Sequence, residues 1–295
     1  MRNVKITSIG FNQRPIDDFI KIVDEEGKKG CDLIVLPEAC TGNDIIEALD
    51  GNSVKRMSEV AARNKIYIIF PIYRKTETEA RLNTAVLIGR KGEICGVYDK
   101  VYPFWSEFSL EPPCGIGRQA PVFETDFGKI GMAVCFDANF PEVFKRLSLG
   151  GAELVLWSSA YSAGMSLQAH AINHNYIIVT STLCADCLVY DITGEEIYYQ
   201  KSPDINISQI TVDLDRRIFH ENYNMDKKAR LLKDYQGKIE SDKWLERESW
   251  FTLKSNSPDI CVQKIAAEYG LEELTHYKNR SCNEIDNMRG FKFTN

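Results

Sequence analysis

Two apolar runs too short to be helices set the terms on which this chain can fold. Leu33-Ile34-Val35-Leu36 and Leu154-Val155-Leu156-Trp157 contain no polar residue, the pattern of strands buried on both faces. Around them the periodicity changes repeatedly. Val4–Ile9 alternates like a strand, and Ile16, Phe19, Ile20 and Val23 recur at helical spacing before Gly27 and Gly30. A helix is predicted over 53–64 and a strand over 66–70. Two hairpins follow: 84–88 with 94–98 across Gly89-Arg90-Lys91-Gly92, and 122–125 with 129–134 across Asp126-Phe127-Gly128. Asn139, with Glu142 three residues on, reads as the N-cap of another helix. A helix over 165–175 and strands near 176–182, 185–190, 195–200 and 207–213 complete the pattern. Mixed hairpins and βα units predict an α/β fold of layered sheets covered by helices, not a simple doubly wound sheet.

Hydrophobic residues make up 44% of the 295 residues and charged residues 26%, enough for a sizeable core in one large or two ordinary domains. The organisation predicted is a domain over 1–213. A charge-rich helical extension over 214–295 would pack on that core or on a partner subunit. Lys plus Arg is 36 against 42 for Asp plus Glu, a net charge of −6, which argues against a nucleic-acid partner. No apolar run reaches the roughly 18–20 residues of a membrane span. The opening Met1-Arg2-Asn3-Val4-Lys5-Ile6 lacks the long apolar stretch of a secretory signal. Nine scattered cysteines, an odd number, fit a reducing compartment better than a disulfide framework. A cytoplasmic location is expected.

Candidate chemistry collects at strand exits. Gly128-Lys129-Ile130-Gly131-Met132-Ala133-Val134 runs into Cys135-Phe136-Asp137-Ala138-Asn139-Phe140-Pro141-Glu142, a strand–turn–helix corner. On its own, a cysteine there is more often inert core than a nucleophile. Leu36-Pro37-Glu38 sets a carboxylate just past a second strand, and Tyr98-Asp99-Lys100 an ammonium at the end of a third. A thiol needs a base or an electropositive setting to attack, and these two residues can supply both.

Glu38, Lys100 and Cys135, in this order and these contexts, resemble the nitrilase (carbon–nitrogen hydrolase) superfamily over roughly residues 4–213. The resemblance implies a four-layer αββα sandwich, with Glu38 as general base, Lys100 as oxyanion stabiliser and Cys135 as nucleophile. It further implies a second glutamate between the lysine and the cysteine, Glu107 or else Glu111, and a homodimer or higher homo-oligomer. No metal or organic cofactor is required. Phe136-Asp137 after the nucleophile resembles the amidase and carbamoylase branches more than the nitrile-cleaving one. Hydrolysis of a small amide or N-carbamoyl compound is therefore expected, with a nitrilase, an acyltransferase or an idle binding module on the same fold as alternatives. Phe136, through its backbone N–H, and Tyr161, after the strand ending Trp157-Ser158-Ser159, are the expected substrate contacts. Cys184 and Cys187 lack the second pair that zinc requires. His170 and His174 share a helix face, but Ala171 stands where a zincin has its glutamate.

Overall fold

The computed structural model describes residues 1–77 and 80–293, which form two compact units, Val4–Val212 and Met1–Asn3 with Asp213–Asn295. In chain order the larger unit contains β1 (Asn3–Phe11), α1 (Ile16–Lys28), β2 (Leu33–Val35), β3 (Ile46–Glu47) and α2 (Asn52–Asn64). Next come β4 (Tyr67–Lys75), β5 (Arg81–Ile88), β6 (Ile94–Asp99), β7 (Val122–Thr125) and β8 (Gly128–Val134). After these follow α3 (Pro141–Leu149), β9 (Leu154–Ser159), α4 (Met165–His174), β10 (Ile177–Thr182), β11 (Asp186–Tyr190), β12 (Glu196–Lys201) and β13 (Ile205–Asp213).

The strands form two sheets. One runs β13-β1-β2-β4-β5-β6 with β3 beside β4, and the other runs β12-β11-β10-β9-β8-β7. The apolar runs lie in the middle of each sheet, where β2 is parallel to β1 and β4, and β9 is parallel to β8 and β10. The predicted hairpins β5–β6 and β7–β8 pair antiparallel toward the edges. The outer face of the first sheet is covered by α1 and α2, whose Phe19, Val23, Val54, Met57 and Val60 pack with Ile9, Phe11, Ile68 and Phe70. Asp17 and Asp18 in the first turn of α1 and Lys28 in its last complement the helix dipole. On the second sheet, a Cβ at Gly131 would lie 2.9 Å from the Leu147 side chain, which shows how closely α3 rests on β8.

The inner faces meet through small residues and hydroxyls. Ser8 Oγ donates to Thr180 O at 2.7 Å, Ser181 Oγ to Ile9 O at 3.0 Å and Ser158 Oγ to Leu36 O at 2.7 Å. A Cβ at Gly10 would lie 3.0 Å from the Thr182 and Asp186 carbonyls, so this spacing admits glycine. The result is an αββα sandwich.

Two local expectations change. Asn139 does not cap α3. It ends a 3-10 turn, Cys135–Asn139, while Phe140 takes the cap position and Pro141 opens the helix, where a missing N–H costs nothing. Asn139 Nδ2 instead donates to Phe136 O at 3.3 Å and Tyr161 Oη at 3.4 Å. The helical expectation for residues 214–295 is also incomplete. Strands β14 (Arg217–His220), β15 (Ile239–Glu240), β16 (Trp244–Leu245) and β17 (Trp250–Ser255) join helices α5 (Met225–Asp234), α6 (Val262–Glu268) and α7 (Leu274–Arg289). The sheet runs β14-β17-β15 with β16 on β17, around Phe219, Leu231, Phe251, Leu253 and Val262. Within this unit the buried Asp215 accepts from the Met1 ammonium at 3.2 Å and the Val262 N–H at 2.7 Å. Among the described residues no helix is long and apolar enough to cross a membrane.

Candidate active site

Four chain segments of the larger unit deliver side chains to one cavity of about 550 Å³. Glu38 lies just beyond β2, and Lys100 immediately follows β6. Glu107 sits in a 3-10 turn, Trp105–Ser109, and Cys135 is the first residue after β8. All four are buried. Lys100 is fixed from both sides: its N–H donates to Asn83 O at 2.8 Å. Its neighbour Asp99 takes both Arg74 Nη2 contacts at 2.9 Å and the Thr84 hydroxyl at 2.7 Å.

Cys135 adopts φ +48°, left-handed backbone that a non-glycine residue occupies only under constraint. Trp157 Nε1 supplies one constraint, donating to Cys135 O at 3.1 Å. Asp137 supplies another. Fully buried, it accepts from Val134 N–H at 2.9 Å, Tyr102 N–H at 2.9 Å and Tyr98 Oη at 2.7 Å. Burial pushes the Asp137 carboxyl up to about 6 against the pull of these donors. Asp137 thus braces the corner and faces away from the list of cavity-lining groups that carry the chemistry.

The acids can be told apart by counting acceptor positions, of which a carboxylate has about four. Glu107 fills all of them. Its Oε1 accepts Asn83 Nδ2 at 2.8 Å and Tyr73 Oη at 3.4 Å, and its Oε2 accepts Lys100 Nζ at 2.5 Å and the Phe104 N–H at 2.7 Å. Glu38 fills three. Its Oε1 accepts Asn83 Nδ2 at 2.7 Å and Lys100 Nζ at 2.7 Å, and its Oε2 accepts the Ala160 N–H at 2.8 Å. The remaining position is within hydrogen-bonding reach of the Cys135 thiol. An ammonium has three N–H groups, and Lys100 gives two to the glutamates. A third is left for an oxygen of a bound molecule.

Electrostatics follow from this packing. Burial, and then the Glu38 charge, push the Cys135 thiol up to about 12, although Lys100 and the Ala160 amide pull the other way. Burial disfavours the Lys100 ammonium, but Glu38, Cys135 and Glu107 outweigh it and raise its pKa above the ordinary lysine value. Tyr73 is likewise raised, by burial and then by Glu107 and Glu38.

The sequence-predicted residues are thus brought together. Glu38, Lys100, Glu107, Cys135, Phe136 and Tyr161 all line the cavity. Glu111 does not: it is exposed, and its carbonyl accepts from Arg81 Nη2 at 2.9 Å. His170 is a core residue, stacked on Phe144 at 3.8 Å with Nε2 2.9 Å from Ala138 O. Asn83, Tyr73 and the Ala160 amide escaped sequence reasoning. An asparagine inside an otherwise apolar strand, Asn83 in β5, was the available signal.

A family model described as carbon–nitrogen hydrolase matches residues 16–216. The chain is 31% identical to a probable nitrilase of Schizosaccharomyces pombe over 57% of its own length and 65% of that protein's. It is 30% identical to a β-ureidopropionase of Arabidopsis thaliana over 54% and 47% of the two lengths. With a deaminated glutathione amidase of Rattus norvegicus the identity is 26%, over 61% and 63%. The chain therefore spans about half to two-thirds of these relatives. Among solved structures, a carbon–nitrogen hydrolase of Helicobacter pylori G27 superposes with a TM-score of 0.65 at 18% identity, covering 72% of this chain and 90% of that one. An amidase of Nesterenkonia AN1 gives 0.61 at 19%, covering 79% and 97%. At these identities the two structures establish the shared sandwich.

Proposed function

Since this chain belongs to the carbon–nitrogen hydrolase family of the nitrilase superfamily, we propose that it hydrolyses a non-peptide carbon–nitrogen bond through a thioester on Cys135. The substrate class is a small amide or N-carbamoyl compound. The observation that carries this reading is the hydrogen-bonded cluster of Glu38, Lys100 and Glu107 beside the Cys135 thiol in one cavity.

The thiol is protonated at rest, so attack on the substrate carbon requires its proton to leave in the same step. Glu38 takes it at Oε2, its one uncommitted acceptor position. As sulfur bonds to the carbonyl carbon, negative charge grows on oxygen, where the third Lys100 N–H and the Phe136 amide stabilise it. Collapse of the tetrahedral species expels the amine, which takes its proton from Glu38. Water then attacks the thioester, Glu38 again accepts a proton, and the acid and free thiol are released. Glu107, with no open acceptor position, stays out of proton transfer and holds Lys100 in place. Phe136 and Tyr161 flank the acyl portion, and the Phe136-Asp137 pair favours the amidase-like branch over nitrile cleavage.

Ammonia or amine release from a panel of amides, N-carbamoyl compounds and nitriles tests the reading. We expect turnover of at least one amide or carbamoyl compound, and a roughly 10⁴-fold or greater loss of kcat/KM in Cys135→Ala. Turnover that survives Cys135→Ala, or none across the panel, overturns it. Acrylamide, which adds to the active-site cysteine of the Nesterenkonia amidase, offers a substrate-independent check by mass increase on the Cys135 peptide.

A further inference from the structure

Asn83 is 1% exposed and has no charge, yet it touches every ionic group of the cluster. Its single Nδ2 donates to Glu38 Oε1 at 2.7 Å and Glu107 Oε1 at 2.8 Å, and its carbonyl accepts the Lys100 N–H at 2.8 Å. We propose that Asn83 is a positioning residue that divides the work between the two glutamates, keeping both ionised while leaving only Glu38 open to a proton. This rests on the reading of Glu38 as base.

Two buried carboxylates that share one ammonium carry a net negative charge, and such a pair tends to retain a proton. A proton held there would occupy the base before the thiol could use it. Asn83 removes that tendency by placing one N–H on each acid. The opposite amide orientation would set its carbonyl against two carboxylates, so the orientation is forced by charge. The arrangement has a cost, because Asn83 Oδ1 is buried without a hydrogen-bond partner among the described residues. A residue kept for packing alone would not need that orphaned oxygen; a double donor does. Glutamine is too long for the same strand position, and aspartate would add a third negative charge.

The experiment reads Cys135 alkylation by iodoacetamide against pH, by peptide mass spectrometry on the full chain, and needs no substrate. In the unaltered protein the rate falls on the acid side as Glu38 takes a proton. In Asn83→Ala this acid limb should move up by about one pH unit, making labelling roughly tenfold slower below it. Asn83→Ser, which keeps one donor, should fall between. Labelling of the exposed Cys95 and Cys282 should be unchanged. A uniform rate loss in Asn83→Ala with the limb unmoved reduces Asn83 to a structural residue and overturns the inference. If the alanine variant does not fold, an unmoved limb in Asn83→Ser overturns it equally. Glu38→Gln should abolish the limb. A limb that persists there belongs to another group, which overturns the function reading and this inference together.

Discussion

The Cys135 sulfur is a thiol in the resting site, since burial and the neighbouring carboxylate push it up to about 12, and this makes the two glutamates unequal. Glu38→Gln should stop proton removal altogether, so both turnover and acrylamide capture at Cys135 should fall to background. Glu107→Gln should act differently. An amide there puts an NH₂ group against Lys100, Phe104, Tyr73 or Asn83, all of them donors in the structure. Lys100 loses a fixed partner, and kcat should drop about 10²–10³-fold with KM little changed; steady-state kinetics checks the split. Glu38, Lys100 and Cys135 were legible because each follows an apolar strand and the three occur in a fixed order. Glu107 needed coordinates to separate it from Glu111, since both lie in a stretch without periodicity. Asn83 stayed hidden because asparagine in a strand pattern reads as a turn residue, not as a double donor.

Elements place these side chains through close backbone approaches. Gly117 N–H donates to Lys100 O at 2.8 Å, and a Cβ at Gly117 would lie 2.0 Å from the Asp99 carbonyl oxygen. Backbone cannot yield there without moving Lys100. Gly117→Ala should therefore cost about 2–3 kcal/mol in urea unfolding and lower kcat as well. Gly131→Ala, whose Cβ would meet only the movable tip of Leu147, should cost less than about 1 kcal/mol. Strands β2 and β9 were readable as unbroken apolar runs. Strands β14 to β17 were not, because their few apolar residues are embedded in a charge-rich stretch and two of them span only two residues. The cap of α3 was misread for a related reason: Asn139 has the right chemistry for a cap, but the turn that displays Cys135 uses it first.

Stability of the whole molecule should carry the mark of Asp137. Its folded pKa is raised from 3.8 to about 6 by burial. Between those values the native state holds a proton that the unfolded chain has released, so stability falls as pH rises through this window. The loss attributable to this group is on the order of 3 kcal/mol, complete above pH 6. Denaturant unfolding at pH 4.5 and 7 should show that slope, and Asp137→Asn should flatten it. No such titration was readable from the linear chain, where Asp137 is one acid among many.

Glu38 takes donors from both halves of the sandwich: Asn83 lies in the first sheet, and Ala160 directly follows β9 of the second. Serine hydroxyls on the inner faces hold those halves in register. Any slippage of one layer along the other would lengthen one of the bonds to the carboxylate before it disturbed anything else nearby. The acidity of the base therefore works as a vernier on the alignment of the two layers, and interior substitutions far from the cavity should retune the reaction's pH optimum while the protein is still fully folded.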